Sequence, residues 1–182
     1  MYISEIYTNL LTENNIPDKW RKRVEVFIVD DDGNLILGKQ DNGIIMCPGG
    51  GLDDDSIRAA AQRECKEEVG IKLKNIKQLN KEPFKVDWYE ITKKGIKISD
   101  KISSRMKEFR GSETYFCIAS FDKNDNSLLG DDNDEMKRVT MSLKKFKDYV
   151  KKTSPNEFGY PRLEMLEKIE EELTEKGKIQ WD

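Results

Sequence analysis

No histidine occurs anywhere in the 182 residues. That absence excludes Ser-His-Asp and Cys-His nucleophile systems, imidazole general bases and every metal set that includes a histidine. Chemistry then falls to carboxylates, Lys, Tyr, Cys or metal-bound water. Cysteine is nearly as scarce: Cys47, Cys65 and Cys117 are an odd number at wide spacing with no CxxC pair, so no zinc site is expected and a reducing compartment is the simplest reading. No apolar segment approaches the roughly 18 residues of a membrane span. The opening MYISEIYTNLL has no basic stretch ahead of a sustained apolar run, and the expected location is cytoplasmic. Charge of one sign is missing too: 32 Lys+Arg against 35 Asp+Glu leave a net charge of −3. No global basic field therefore points to duplex nucleic acid, and any phosphate-binding surface must be local.

The length suits one domain over residues 1–182, with an N-terminal helix in 1–16, a core over 22–150 and a C-terminal helix over 160–177. Ile3, Ile6, Tyr7, Leu10 and Leu11 recur at helical spacing before a break at Asn14, Asn15 and Pro17. From Arg23 the period shortens: VEVFIVD, the turn Asp31-Asp32-Gly33-Asn34 and LILGKQ read as a β-hairpin. Pro48-Gly49-Gly50-Gly51 reads as a loop, and residues 56–69 as a helix free of Gly and Pro. IKLKNIKQL is strand-like, and Lys81 to Gly111 reads as a polar insertion or irregular hairpin interrupted by Pro83 and Gly95. ETYFCIASF, residues 113–121, is the clearest later strand; KRVTMSL suggests another, LKKFKDYVKK a helix, and PRLEMLEKIEEELTEKGK an amphipathic helix stopped at Gly177. The expected fold is an α/β sandwich: a curved mixed sheet with the 56–69 helix on one face and the C-terminal helices on the other.

The chemistry concentrates in GGGLDDDSIRAAAQRECKEEVGI, Gly49 to Ile71. At about 100° per residue, Ile57, Ala60, Ala61 and Cys65 form one apolar stripe, and Glu64 and Glu68 fall within about 20° of Ile57. Two carboxylates one turn apart on the core-facing side repel each other and sit at the negative end of the helix dipole. Burying them unpaired costs several kcal/mol, about what forces protonation. A divalent cation removes all three penalties, and an oxygen-only ligand set selects Mg²⁺, Mn²⁺ or Ca²⁺ over zinc. The bland alternative, a solvated charged helix face, is weakened by that inward placement. An Arg63 to Glu67 bridge at i,i+4 would orient Glu67. The implied chemistry is metal-assisted attack of water on a phosphoanhydride.

These residues resemble the Nudix box, Gx5Ex7REUxEExGU with U aliphatic. Gly49, Asp55, Arg63-Glu64, Glu67-Glu68 and Gly70-Ile71 stand at its spacing, an arrangement whose chance occurrence is on the order of one in ten thousand or less. A strand hairpin before a Pro-Gly-Gly turn, as VEVFIVDDDGNLILGKQ and MCPGGG provide here, is similar to the same family. The resemblance implies an α/β/α sandwich and a Mg²⁺- or Mn²⁺-dependent pyrophosphohydrolase. It implies Glu64, Glu67 and Glu68 as metal ligands, a loop carbonyl ligand from Gly49 or Gly50, and Arg63 as the residue that holds a glutamate. It also implies a further carboxylate from a later acidic loop, for which Glu135 is the candidate; Glu67 or Glu135 would take the proton, with Glu68 in the same catalytic group. Two positions depart from the pattern: Asp55 replaces the first box glutamate, and Cys65 an aliphatic residue. Asp55 is either functional or a helix cap, with Ser56 its rival. The Pro-Gly-Gly turn also lies one residue closer to the helix than is common.

Outside the box, Lys101, Arg105, Lys107 and Arg110 make the insertion locally basic, either a solvated face or a contact for polyphosphate or RNA. Tyr89 stands where dinucleoside polyphosphate hydrolases resembling this family often stack a base; packing is the competing role. Lys39, Tyr89, Arg105 and Arg110 are the candidate substrate-binding residues. Dinucleoside polyphosphates, ADP-ribose, nucleoside triphosphates and capped RNA ends all fit the box, which supplies only the anhydride chemistry. A nucleotide- or RNA-binding sensor without turnover is the rival reading, and monomer and homodimer remain equally open.

Overall fold

The computed structural model describes residues 16–121, 135–154, 156–179 and 181. The helix expected within residues 1–16 lies outside them apart from Ile16. Eight strands form one mixed sheet among the described residues. They are β1 (Trp20–Val29), β2 (Asn34–Lys39), β3 (Ile45–Met46), β4 (Gly49–Gly51), β5 (Leu73–Gln78), β6 (Phe84–Asp87), β7 (Gly111–Phe121) and β8 (Lys137–Ser142). The helices are α1 (Ile57–Val69), α2 (Trp88–Lys93), α3 (Asp100–Arg105), α4 (Leu143–Thr153) and α5 (Tyr160–Lys176). The main path runs β3-β2-β1-β7-β5, with β4 on β1, β6 on β7 and β8 on β2. β1 and β7 pair in parallel from Trp20↔Gly111 to Ile28↔Ala119, while the other pairings are antiparallel.

Strand alternation sends the residues of β1 to two cores. Val24, Val26 and Ile28 join Ala60, Ala61, Cys65 and Val69 of α1 on one face. Phe27 and Val29 join Phe146 and Val150 of α4 and Met165, Leu166 and Ile169 of α5 on the other. The helices therefore cover the sheet as the sequence predicts, the 56–69 helix on one side and the C-terminal pair on the other. A third cluster, Val86, Trp88, Tyr89, Ile91 and Met106, belongs to the insertion.

Two expectations change. Pro48-Gly49-Gly50-Gly51 is not all loop: Gly49–Gly51 forms β4 through the register Arg23↔Gly51, Val24↔Gly50 and Glu25↔Gly49. Three glycines carry no strand propensity, so this element is imposed by its partner strand. The 81–111 segment is neither polar throughout nor a plain hairpin. It holds one strand and two short helices, each helix started by a side-chain cap: Asp87 accepts from Tyr89 N and Glu90 N, and Ser99 from Ile102 N. No helix among the described residues is long and apolar enough to cross a membrane.

Candidate active site

The site is built where α1 leans on β4. Ser56, not Asp55, caps α1, its side chain accepting from Ala59 N at 3.2 Å. Gly70 closes the helix at φ 64°, with its N–H on Lys66 O at 3.1 Å. Between these caps the predicted inward face is observed, with Ala60, Ala61, Glu64, Cys65 and Val69 all buried. Glu64 retains only 9% of its exposure.

The antiparallel ladder explains how glycines meet these carboxylates. Val26 N donates to Pro48 O and Leu52 N to Lys22 O, each near 3 Å, which sets the phase so that Gly50 bonds to Val24. The N–H and C=O of Gly49 and Gly51 then turn away from β1. Gly49 N donates to Glu68 Oε2 at 2.7 Å, and Gly51 O accepts from Arg63 Nη2 at 2.9 Å. Of the two glycines named as carbonyl donors, Gly49 has its carbonyl on the open side of the ladder. At Gly50 the requirement is space: a Cβ there would sit on the Glu64 carboxylate.

Asp55 is freed from capping to pair with Arg63, whose Nε lies 3.0 Å from Asp55 Oδ2. The same guanidinium donates from Nη1 to Glu64 Oε1 at 2.5 Å. It also lies 3.5 Å from Asp53 Oδ2 and 3.7 Å from Glu67 Oε2. Arg63 therefore braces Glu64 first and Glu67 loosely. The Asp55 hydrogen bond leads the interactions that hold Arg63 above its ordinary pKa. Asp for Glu at the first box position keeps this partner, because the loop from Leu52 turns tightly. Asp55 N donates to Leu52 O at 2.8 Å, and Asp53 takes a left-handed φ of 51°.

Glu68 is pushed up to about 7, first by burial and then by the charges of Glu64 and Glu135, with the Gly49 N–H pulling the other way. Glu135 is exposed and docks beside α1 through its N–H on Glu67 O at 3.4 Å, followed by Met136 N on Glu68 O at 2.9 Å. The structure thus brings together Gly49, Arg63, Glu64, Glu67, Glu68 and Glu135. The acidic run before Glu135 lies outside the described residues.

The candidate substrate residues separate. Arg105, on α3, adds its charge to that felt by Arg21 and Arg23 of β1; among the described residues it makes no ion pair with the α1 carboxylates. Tyr89 lies in the insertion's core, 6% exposed, with its hydroxyl donating to Met106 O at 2.5 Å. Its ring packs rather than presenting a face for a base. Arg110 Nε donates to Asp87 Oδ2 at 2.6 Å and so anchors the start of α2. Lys39 ends β2, exposed, opposite Ile45 and Lys137; among the described residues it makes no ion pair with the α1 carboxylates.

Two residues escaped the sequence reading. Arg21 and Arg23 share one face at the foot of β1, and Arg23 pairs with Gly51 across the ladder. The signal was the charge alternation in WRKRVEV, masked by the apolar run that follows. Farther along that face Glu25, 2% exposed, is held by Arg162 of α5 through Nε and through Nη2 at 2.9 Å.

The NUDIX domain family matches residues 19–163, whereas no curated protein matches the chain. Among solved structures, an ADP compounds hydrolase is similar at 22% identity, over 87% of this chain and 76% of its own, with a TM-score of 0.53; that likeness is one of fold. A NUDIX hydrolase from Nitrosomonas europaea is similar at 17% identity over 71% and 77% of the two chains, with a TM-score of 0.47. An ADP-ribose pyrophosphatase from Streptococcus suis 89-1591 is similar at 20% identity over 68% and 75%, with a TM-score of 0.43. The family match runs from the foot of β1 into α5 and takes in every carboxylate gathered at α1, and the chain belongs to the Nudix family.

Proposed function

We propose that this Nudix-type pyrophosphohydrolase uses Mg²⁺ or Mn²⁺ to hydrolyse a pyrophosphate bond in a nucleoside diphosphate linked to another moiety. That class includes dinucleoside polyphosphates, ADP-ribose, nucleoside triphosphates and capped RNA ends. The observation that carries the reading is the inward pair Glu64 and Glu68, one turn apart and pressed against β4.

The residues fit a hard divalent cation. Their donors are oxygens, the Glu68 carboxyl is raised by burial and by two like charges, and the Gly49 carbonyl stands on the open side of the ladder. Among the described residues no three acidic or cysteine side chains converge as a ready-made cage. A Mg²⁺ ion beside phosphate keeps several waters and takes substrate oxygens, so it needs few ligands from the protein. Glu64, Glu68 and the Gly49 carbonyl would hold it, with Glu67 at the rim. When bound, the cation supplies charge neutralisation for the pyrophosphate and a lowered pKa for water.

The chain's own residues do the rest. Arg63 holds Glu64 in one rotamer, and the Gly49 N–H holds Glu68, so neither carboxylate reorganises as charge develops. Glu67 is exposed, and Glu135 lies beside it. Either can accept the proton of the attacking water, and both are close enough to act on the same edge of the site.

The test is release of products from a panel of nucleotide anhydrides with Mg²⁺ or Mn²⁺, resolved by mass, beside Glu64→Gln and Glu68→Gln. Turnover that disappears in both variants supports the reading, and the products name the bond. Tight binding of a nucleotide with no turnover on any anhydride overturns it in favour of a sensor.

A further inference from the structure

The eight arginines, all among the described residues, divide into two kinds. Arg58 donates to Ile76 O, Arg63 to Asp55 and Glu64, Arg110 to Asp87, and Arg162 to Glu25. Arg138 is also engaged. Arg21, Arg23 and Arg105 have no side-chain hydrogen bond and no ion pair within 4.0 Å among those residues. The Arg23 Nε is closed off from solvent without a partner. A buried guanidinium donor left unmatched is costly, and an unmatched one beside like charges more so.

Arg21 and Arg23 share a face at the foot of β1, and Phe109 N on Arg105 O at 2.9 Å with Arg110 N on Lys19 O at 2.8 Å brings the end of α3 to that foot. Arg21 is pushed down to about 10 by burial first, then by the charges of Arg105 and Arg23. Arg23 is lowered by burial and is influenced in turn by Glu25, Arg162, Glu68 and Arg105. Glu25 is already committed to Arg162, and Asp53 to Arg63. Only β4 separates the cluster from the carboxylates: a Cβ on Gly50 would meet Glu64 on the α1 face, and its neighbour Gly51 turns to the other. A Cβ on Gly51 would meet Arg21 Nη2 at 2.9 Å, Glu64 acts on Arg21, and Glu68 acts on Arg23.

We propose that Arg21, Arg23 and Arg105 form an anion subsite that grips the phosphate chain of the substrate across β4 from the α1 carboxylates and selects chains bearing three or more negative charges. The inference rests on the reading of the site as an anhydride hydrolase and names its substrate class more narrowly. The charge count is the reason. Arg63 is balanced by Asp55 and Glu64, and Arg162 by Glu25, so these three guanidiniums remain for the substrate. A diester of diphosphate brings two charges, whereas a triphosphate or a longer bridging chain brings at least three. The fork geometry of guanidinium suits phosphate oxygens, and two of the three forks come from β1, a strand fixed on both sides by the sheet. The third comes from α3, which assigns a purpose to the insertion: the turn after α3 is tied to the residue before β1 by Arg110 N on Lys19 O.

The test separates this inference from the reaction. Binding of inorganic tripolyphosphate and of inorganic pyrophosphate is measured by calorimetry in EDTA for wild type, Arg105→Gln, Arg21→Gln, Arg23→Lys and the control Arg58→Gln. Tripolyphosphate should bind wild type at least about tenfold more tightly than pyrophosphate. Arg105→Gln and Arg21→Gln should each weaken it about tenfold or more, the size expected for a charge-assisted contact. Arg58→Gln should not. Arg23→Lys, which retains the buried charge, should fold and bind with intermediate affinity. Equal binding by wild type and Arg105→Gln, or no preference for the longer chain, overturns the subsite. If Arg105→Gln also leaves KM unchanged on an anhydride that Glu64→Gln fails to cleave, the subsite is wrong and the hydrolase stands. If nothing is cleaved yet tripolyphosphate binding depends on Arg21 and Arg105, the reverse holds.

Discussion

Gly49 and Gly50 are adjacent, and the structure predicts opposite kinds of damage from the same methyl group. An alanine Cβ at position 50 would occupy the space of the Glu64 carboxylate, whereas at position 49 it would overlap the Val24 carbonyl oxygen and crowd Glu25 Cα at 2.9 Å. The first obstacle is the tip of a flexible side chain and the second is backbone. In Gly50→Ala the carboxylate must rotate away, which breaks its 2.5 Å contact with Arg63 Nη1, a partly buried charge-assisted bond worth roughly 1.5–3 kcal/mol. Arg63 keeps Asp55 and Gly51 O, so it is not stranded, and the lost freedom of the unfolded chain returns about 0.4–1 kcal/mol. The net cost is about 1–2 kcal/mol, which lowers Tm by about 5 °C in a chain of this size. Turnover should nevertheless fall at least about a hundredfold, because a fixed charged group has left the reacting centre. Gly49→Ala must instead force β4 off β1, costing about 3 kcal/mol or more. Denaturant midpoints and kcat for both variants decide the matter. Wild-type turnover in Gly50→Ala, or equal destabilisation by the two substitutions, would refute the assignment of Gly50 as room for Glu64.

Three further outcomes follow from named contacts. Arg63→Lys should cut kcat at least about tenfold with a midpoint shift within about 1 kcal/mol, since one ammonium cannot serve Asp55, Glu64 and Gly51 O together; unchanged kcat would show that Glu64 needs no brace. Arg162→Met should cost about 3–5 kcal/mol in urea denaturation by leaving Glu25 charged and buried, and Glu25→Leu added to it should recover much of the loss; additive losses would argue against the pair. Burial pushes the Cys117 thiol up to about 12, and raising a thiol's pKa favours the unreactive protonated form below that value. At pH 8 the native protein, whose three cysteines are all buried, should release no chromophore from Ellman's reagent until denaturant is added; rapid native-state labelling would contradict the packing.

Much of this site was legible because it obeys local periodicity. The angular position of Glu64 and Glu68 on the apolar face of α1 follows from residue spacing alone, and the burial of Glu64 matches it. The hairpin of β1 and β2 and the stop at Gly177 are equally local. The alternating burial expected of those two strands is not found, because helices cover both faces of the sheet and bury successive residues alike. What remained hidden depends on partners distant in sequence. β4 is a strand only because β1 lies alongside, and Tyr89 is core only because Met106 closes over it. Asp55 and Ser56 compete as caps on equal chemical terms, and the position of Arg63 breaks the tie. Arg21 and Arg23 look like an ordinary solvated strand end until α3 returns with a third arginine.

The parallel ladder between β1 and β7 joins residues about ninety positions apart, Trp20 to Gly111 at one end. Loop closure on that scale is slow relative to winding a helix. During refolding α1, with its own caps, can form long before β1 is seated beside its partner. Until then Gly49 has no fixed place from which to donate to Glu68, and Arg21 and Arg23 have no common face. Helical signal should consequently recover ahead of nucleotide binding in a stopped-flow experiment. The lag between them would time the closing of that one ladder.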